Sequence, residues 1–315
     1  MSGRDATLTA PTPERDFFGP ALLVGITIFW GLNFVAIKYA VAEVPILTFR
    51  TICLLVGGLG LLGIGKAAGF SLAVPRAEWR PLAIAALGNI TGWHLFSAWG
   101  LIYLPAGRAT IIAYTMPLFA AVISMLWLKQ KMSGLTLAAL VAGTVGLAIL
   151  LLPDWADVMA HPGGVLLVLA AASSWAFGTV ALKRFRFTIP TTALAGWQML
   201  VGGIPIFIGC ALIDRGFDPR PVSAQAWIAI AYSTLLPTIF CHWAWFRVVA
   251  IYPAVVAAIG TLAIPVISIL TAATVRHEPI GVAEIVSLAL VLAALTLVLV
   301  LPALKNRTAP LPEPE

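Results

Sequence analysis

Ile90–Gly100 reads Ile-Thr-Gly-Trp-His-Leu-Phe-Ser-Ala-Trp-Gly, and a second version follows at Ile239–Arg247, Ile-Phe-Cys-His-Trp-Ala-Trp-Phe-Arg. The two histidines, His94 and His242, are 148 residues apart. Three further pairs share that spacing: Trp79 and Trp227, Pro105 and Pro253, and Pro117 and Pro265. Earlier blocks repeat at a spacing of 145: Leu55–Gly58 with Leu200–Gly203, and Trp30 with Trp175. The chain is therefore a tandem duplication with a small insertion in the second copy.

The composition is that of a membrane protein. Of the 315 residues, 61% are hydrophobic and 10% are charged, whereas a soluble domain carries about 25% charged residues. Apolar runs of the length needed to cross a bilayer follow one another along the chain, and in lipid such runs must be helices. We predict an all-α integral membrane protein with ten spans: Phe17–Ala42, Pro45–Gly65, Pro81–Tyr103, Ala106–Leu128, Met132–Leu152, Pro162–Leu182, Pro190–Ile213, Ala226–Phe246, Ala254–Val275 and Ile280–Leu301.

The charge pattern predicts the orientation. With the N-terminus inside, thirteen Lys and Arg residues lie in cytoplasmic segments and six lie in outer loops or at outer ends of spans. This positive-inside bias places both termini in the cytoplasm. The net charge of +6 is dispersed between apolar runs, which argues against a nucleic-acid partner and for the lipid bilayer. The three cysteines have no metal-ligand spacing, so we expect neither a metal nor a cofactor.

Five spans per copy is an odd number, so the second copy must enter the membrane from the opposite side. The predicted architecture is two inverted five-helix repeats, residues 17–152 and 162–302, joined by an outer loop, residues 153–161. Residues 1–16 form a cytoplasmic N-terminal segment, and residues 303–315 form a polar, Pro-rich tail that we expect to be disordered. Two inverted halves that meet at the midplane favour alternating access to a shared central cavity.

The chain resembles the drug/metabolite transporter superfamily, in particular its EamA-domain family, and is most similar to the bacterial amino-acid exporters that include the YddG-like proteins. The resemblance covers about Pro20 to Leu301 and is carried by four stretches: Phe29–Phe34, Ala106–Leu118, Ser174–Gly178 and Ala254–Val266. The family usually has an acidic residue after the fourth and the ninth helix. Glu278 fills that place in the second half, whereas the first half has Lys129-Gln130-Lys131 there. The resemblance implies export of small metabolites, amino acids or amphipathic drugs across a bacterial inner membrane.

The histidine pair and a proline pair are the first candidate site residues. His94 and His242 fall within apolar spans, where ionisable groups usually face the bundle interior; each lines the cavity or packs between helices. Pro117 and Pro265 interrupt helices at matching places, which in transporters indicates a binding site, although a simple kink is the alternative. Tyr114, one turn before Pro117, can offer its hydroxyl to the cavity.

Aromatic and amide side chains form the second group. Asn33 follows Trp30 by three residues on one helix face and needs a partner, either another helix or a ligand. Trp175 takes the place of Trp30 in the second copy, and Trp245 is another tryptophan deep within a span. Aromatic walls suit apolar or cationic substrates, and the alternative is ordinary packing.

Charged residues form the third group. Lys38, Glu43, Arg50 and Arg108 are predicted near the outer face, where they snorkel to the interface or form an outer gate. Glu284 is a carboxylate within the tenth span, either paired with an arginine or used for proton coupling.

The leading functional hypothesis is a secondary transporter rather than an enzyme, because no nucleotide-binding or catalytic motif is present in a usable context. Its partners are a small-molecule substrate and the bilayer, with coupling to protons or uniport both open, and a monomer is compatible with the sequence. An intramembrane lipid-modifying enzyme and a non-transporting scaffold are the alternatives.

Overall fold

A computed structural model of the chain describes residues 18–104, 106–276 and 281–301, and helices are the only regular elements in these ranges. Strongly apolar stretches form helices because each backbone group then finds its partner within the same segment. The α-helices are α1 (Phe18–Val41), α2 (Ile46–Ala67), α3 (Arg76–Ala86), α4 (Trp93–Tyr103), α5 (Ala106–Ala113), α6 (Met116–Trp127), α7 (Gly134–Leu151), α8 (Trp155–Met159), α9 (Pro162–Arg184), α10 (Thr191–Ile213), α11 (Ala224–Ser233), α12 (Cys241–Ile251), α13 (Ala254–Gly260), α14 (Ala263–Arg276) and α15 (Val282–Leu295).

Seven helical segments of the described chain are long and apolar enough to cross a membrane, by length and composition. They are 18–41, 46–67, 109–127, 134–151, 162–184, 191–213 and 224–251. Two shorter apolar stretches lie at 254–268 and 285–298. The third predicted span, Pro81–Tyr103, is not among the seven; its helical run begins earlier than predicted, at Arg76, and contains the polar residues Asn89 and His94. The eighth predicted span, Ala226–Phe246, lies within a longer helical run, residues 224–251.

Both copies of the duplication contain a π-helical segment at the same place. Leu87–Gly92 joins α3 to α4, and Thr234–Phe240 joins α11 to α12. A spacing of 148 relates most of the two segments. Each lies directly before a histidine-bearing helix, and π-helical turns are frequent at functional sites.

Both copies also contain a broken helix at matching positions. A turn at Tyr114 and Thr115 separates α5 from α6, and a turn at Thr261 and Leu262 separates α13 from α14. In each case a proline, Pro117 or Pro265, lies in the first turn of the helix after the break. Proline lacks a backbone N–H, so it is tolerated in a first turn and cannot extend the preceding helix.

Each half contributes its first helix to the other half. α1 packs against α11, α12 and α14, while α9 packs against α3, the Leu87–Gly92 segment, α4 and α6. The approach of α9 is close: a Cβ on Gly88 would lie 2.7 Å from the backbone nitrogen of Gly178. α2 packs along α10, and α7 along α15.

Two carboxylates mark opposite ends of the bundle. Glu43, after α1, accepts hydrogen bonds from the backbone N–H of Ser223 (2.6 Å) and its Oγ (2.7 Å), just before α11. Glu78, in the first turn of α3, accepts from the backbone N–H of Thr188 at 3.1 and 3.2 Å, between α9 and α10. α2 connects these two ends over about 33 Å, so α1 and α9 end at opposite ends of the bundle.

Candidate functional site

Five aromatic rings meet in the interior, and we call them the aromatic cluster: Trp30, Trp93, Trp175, His242 and Trp245. The Trp30 ring lies 5.7 Å from Trp175, 5.8 Å from His242 and 6.1 Å from Trp245, measured between ring centroids. Trp175 in turn lies 5.3 Å from Trp93, 5.8 Å from His242 and 5.9 Å from Trp245. Most of these contacts are edge-to-face or tilted, the arrangement that aromatic pairs prefer.

The aromatic cluster draws on both copies of the duplication. Trp30 and Trp175 are counterparts at a spacing of 145, and their rings touch each other. A residue touches its own counterpart only near the axis of a two-fold relation, so this contact agrees with such a relation between the halves. Four residues predicted as cavity-lining, Trp30, Trp175, His242 and Trp245, are therefore brought together.

The π-helical segment Thr234–Phe240 positions two members of the aromatic cluster. Directly after it, the N–H of Cys241 bonds to the carbonyl of Leu236, five residues earlier, and therefore not to the carbonyl of Pro237. The Pro237 carbonyl instead accepts from Trp30 Nε1 at 3.0 Å and lies 3.1 Å from His242 Nδ1. With Nδ1 as the donor, Nε2 of His242 is left as an acceptor.

Several buried polar atoms of the cluster make no hydrogen bond within the described part of the chain. They are Trp175 Nε1, Trp245 Nε1 and His242 Nε2, on residues that are 4%, 0% and 6% exposed. A buried unpaired polar group costs about 1–3 kcal/mol. Such groups are expected where a ligand or water supplies the missing partner.

His94 lies in a different setting from its counterpart. It is 5% exposed, and neither ring nitrogen makes a hydrogen bond to a described residue. Arg50, on α2, is partly exposed, and its Nε is buried without a hydrogen bond to a described residue. Its guanidinium lies 5.7 Å from the centroid of the Phe49 ring.

Tyr114 and Asn33 lie near the cluster in different ways. Tyr114, 5% exposed, sits in the turn between α5 and α6 and belongs to the same hydrophobic core as Trp175 and Trp245. The Asn33 side-chain oxygen accepts from Ser233 Oγ at 2.7 Å, which joins α1 to α11. For that oxygen, the partner is another helix.

The residues predicted for an outer gate lie in different settings. The Glu43 carboxylate is engaged by Ser223, and these hydrogen bonds, the backbone one first, hold its pKa below the usual value. Lys38 is exposed, and in the described chain neither Lys38 nor Arg50 forms an ion pair with Glu43. Arg108 lies in α5 and Glu284 in α15, but their side chains are outside the described part.

Two buried amides were not predicted. Asn89 Nδ2 lies 3.4 Å from Gln198 Oε1, both residues are 0% exposed, and Asn89 Oδ1 and Gln198 Nε2 lack partners among the described residues. Asn89 occupies the place of Pro237 in the first copy. The signal that singled out Asn33, an amide within an apolar run, is also present at Asn89 and Gln198. Within the described ranges, no group of three or more His, Cys, Asp or Glu comes together.

Known proteins match both copies of the duplication. A model of the EamA-like transporter family matches residues 17–152 and again residues 162–300. An uncharacterized transporter of Bacillus subtilis, YvbV, is 31% identical over 282 residues, which is 88% of this chain and 90% of that protein. A probable amino-acid metabolite efflux pump of Salmonella typhimurium is 25% identical, over 87% of this chain and 92% of its own.

Two further comparisons bear on setting and fold. The inner membrane transporter YedA of Escherichia coli, itself uncharacterized, is 25% identical over 88% of this chain and 89% of its own. A solved crystal structure superposes with a TM-score of 0.73 over 93% of this chain and 99% of that one at 19% identity, which shows a shared fold. With its apolar helices and transporter relatives, this is a multi-pass membrane protein. Because both copies of the duplication match the same family model, the chain belongs to the EamA-like transporter family.

Proposed function

We propose that this protein is a secondary transporter that exports small metabolites, foremost amino acids, through a central site between its two halves. The observation that carries the proposal is the aromatic cluster with its unpaired buried polar atoms, built by helices from both copies. A site shared by two halves changes its access when one half moves against the other. The efflux-pump relative supports the direction and the substrate class.

The proposal includes ten membrane crossings as two inverted repeats, residues 17–152 and 162–302, with both termini in the cytoplasm of a bacterial cell. It is supported by the opposite ends at which α1 and α9 finish and by the repeated helix breaks. Reporter fusions at each terminus test the orientation, and termini on opposite sides of the membrane would exclude it.

Export is tested with purified protein in liposomes preloaded with radiolabelled phenylalanine and, separately, a mixture of the other amino acids. We expect efflux well above that of empty liposomes. Trp175→Ala should reduce it at least about tenfold, because truncation removes a wall of the site. Trp155→Ala, which alters a tryptophan that is 53% exposed outside the cluster, is the matched control. Equal efflux from Trp175→Ala and wild-type liposomes would remove the cluster from the transport path.

A further inference from the structure

Arg50 is a partly exposed cation that forms no ion pair within the described residues. Its Nε is buried and makes no hydrogen bond there, and its guanidinium lies over the Phe49 ring. The carboxylates of Glu43 and Asp214 accept hydrogen bonds from Ser223 and Thr48 instead. A charge within a membrane protein is costly unless it is paired. A substrate anion would supply that pair.

The packing of α10 places Arg50 and His94 at the same level of the bundle. A Cβ on Gly209 would lie 3.4 Å from Leu47 Cδ1, and one on Gly202 would lie 2.7 Å from Ile90 Cβ. Arg50 follows Leu47 by about one turn and His94 follows Ile90 by about one turn. The stretch of α10 between Gly202 and Gly209 therefore passes both residues.

Donors outnumber acceptors among the unpaired atoms of this interior. Arg50 Nε, Gln198 Nε2, Trp175 Nε1 and Trp245 Nε1 can only donate, whereas Asn89 Oδ1 can only accept. A neutral His94 adds one donor and one acceptor, and His242 Nε2 accepts when its Nδ1 donates to Pro237. An interior with one cation and surplus N–H groups is suited to an anion.

We propose that Arg50 and His94 form a binding site for the carboxylate group of the substrate, while the aromatic cluster holds its apolar part. This inference rests on the proposed transport function and names the group that the site recognises. A guanidinium presents parallel N–H donors that match the two oxygens of a carboxylate. A single cation balances a carboxylate, whereas a phosphate dianion would leave surplus negative charge.

Ligand-induced thermal stabilisation of the detergent-purified protein tests the inference without transport. Four probes share a benzene ring and a two-carbon chain: phenylalanine, 3-phenylpropionate, phenylalaninamide and phenethylamine. We expect the two carboxylates to stabilise the protein and the amide and amine to require about 10- to 100-fold higher concentration, which corresponds to loss of a charge-assisted hydrogen bond. Equal stabilisation by phenylalaninamide and phenylalanine would overturn the inference. So would a failure of all four probes to stabilise the protein.

Three variants locate the effect. Arg50→Gln should abolish the preference for the acid over the amide, Arg50→Lys should retain part of it, and Arg184→Gln, a change at an exposed arginine, should leave it intact. If Arg50→Gln does not fold, Arg50→Lys and His94→Gln carry the test, since each should weaken the preference. A preference unchanged in all folded variants would refute the assignment.

The same probes separate this inference from the proposed function. Carboxylate-selective binding without efflux from liposomes would leave the binding site standing and remove the transporter. Efflux of phenylalaninamide and phenylalanine with equal KM would leave the transporter standing and remove the carboxylate site.

Discussion

His94 and His242 hold the same place in the two halves, yet their surroundings differ. The His242 ring packs against Trp30 and Trp175, and its Nδ1 lies 3.1 Å from the Pro237 carbonyl. His94 makes no hydrogen bond to a described residue, and its ring is not part of the aromatic cluster. The duplication has kept the backbone while the side chains have diverged, so that one histidine is held by aromatic rings and a carbonyl and the other keeps both ring nitrogens unpaired. The proposed carboxylate site uses this second histidine.

The largest effect on folding is expected when a residue of the first half is replaced by its counterpart from the second half. Gly88 corresponds to Leu236, and α9 packs so closely on Gly88 that a Cβ there would meet backbone atoms of Gly178. Gly88→Leu should therefore prevent α9 from docking and leave little folded protein. Size-exclusion elution and thermal unfolding in detergent measure this. The control is Gly63→Leu, because a Cβ on Gly63 would meet no heavy atom within 4 Å. A Gly88→Leu protein as stable as that control would show that the two halves do not differ in packing at this position.

The histidines should separate stability from transport. His242→Leu loses a buried hydrogen bond and leaves the Pro237 carbonyl with one side-chain donor fewer, so the free energy of unfolding should fall by about 1–3 kcal/mol. His94→Leu removes two unpaired buried nitrogens, so stability should be unchanged or higher while phenylalanine efflux falls. Chemical unfolding and liposome efflux, measured on both variants, check the contrast. Equal losses of stability would mean that the two settings are equivalent.

A smaller difference is expected between the two ends of the bundle. Glu78 is 8% exposed and holds Thr188, whereas Glu43 is exposed. Glu78→Gln should lower the melting temperature more than Glu43→Gln does, because the hydrogen bonds of Glu78 are partly buried whereas those of Glu43 are exposed to water.

The contribution of Glu43 should depend on pH. Its hydrogen bonds to Ser223 lower its pKa in the folded protein, so they stabilise the fold above the ordinary carboxyl pKa of 4.5 and less as the pH falls through the folded value. The melting-temperature difference between wild type and Glu43→Gln should accordingly be present at pH 7 and shrink in acid. A difference that grows in acid would contradict this sign.

The sequence predicted those features that follow from one copy being compared with the other. The shared spacing of Pro117 and Pro265 pointed to the two helix breaks, and the positions of Trp30, Trp175 and His242 pointed to a shared site. The π-helical segments had no such signal, because the shift to five-residue hydrogen bonds depends on packing across helices. Arg50 was expected near the outer face from its place along α2, but its direction around the helix is set by the packing of α10.

Alternating access requires the two ends of the bundle to open in turn, and cross-linking each end tests this most directly. In a protein with Cys53, Cys210 and Cys241 replaced by serine, Glu43→Cys with Ser223→Cys joins one end, and Glu78→Cys with Thr188→Cys joins the other. A short bifunctional methanethiosulfonate should stop phenylalanine efflux in either double variant, and a reductant should restore it. Efflux that continues at the uncross-linked rate once either end is fully joined would contradict alternating access between the two halves.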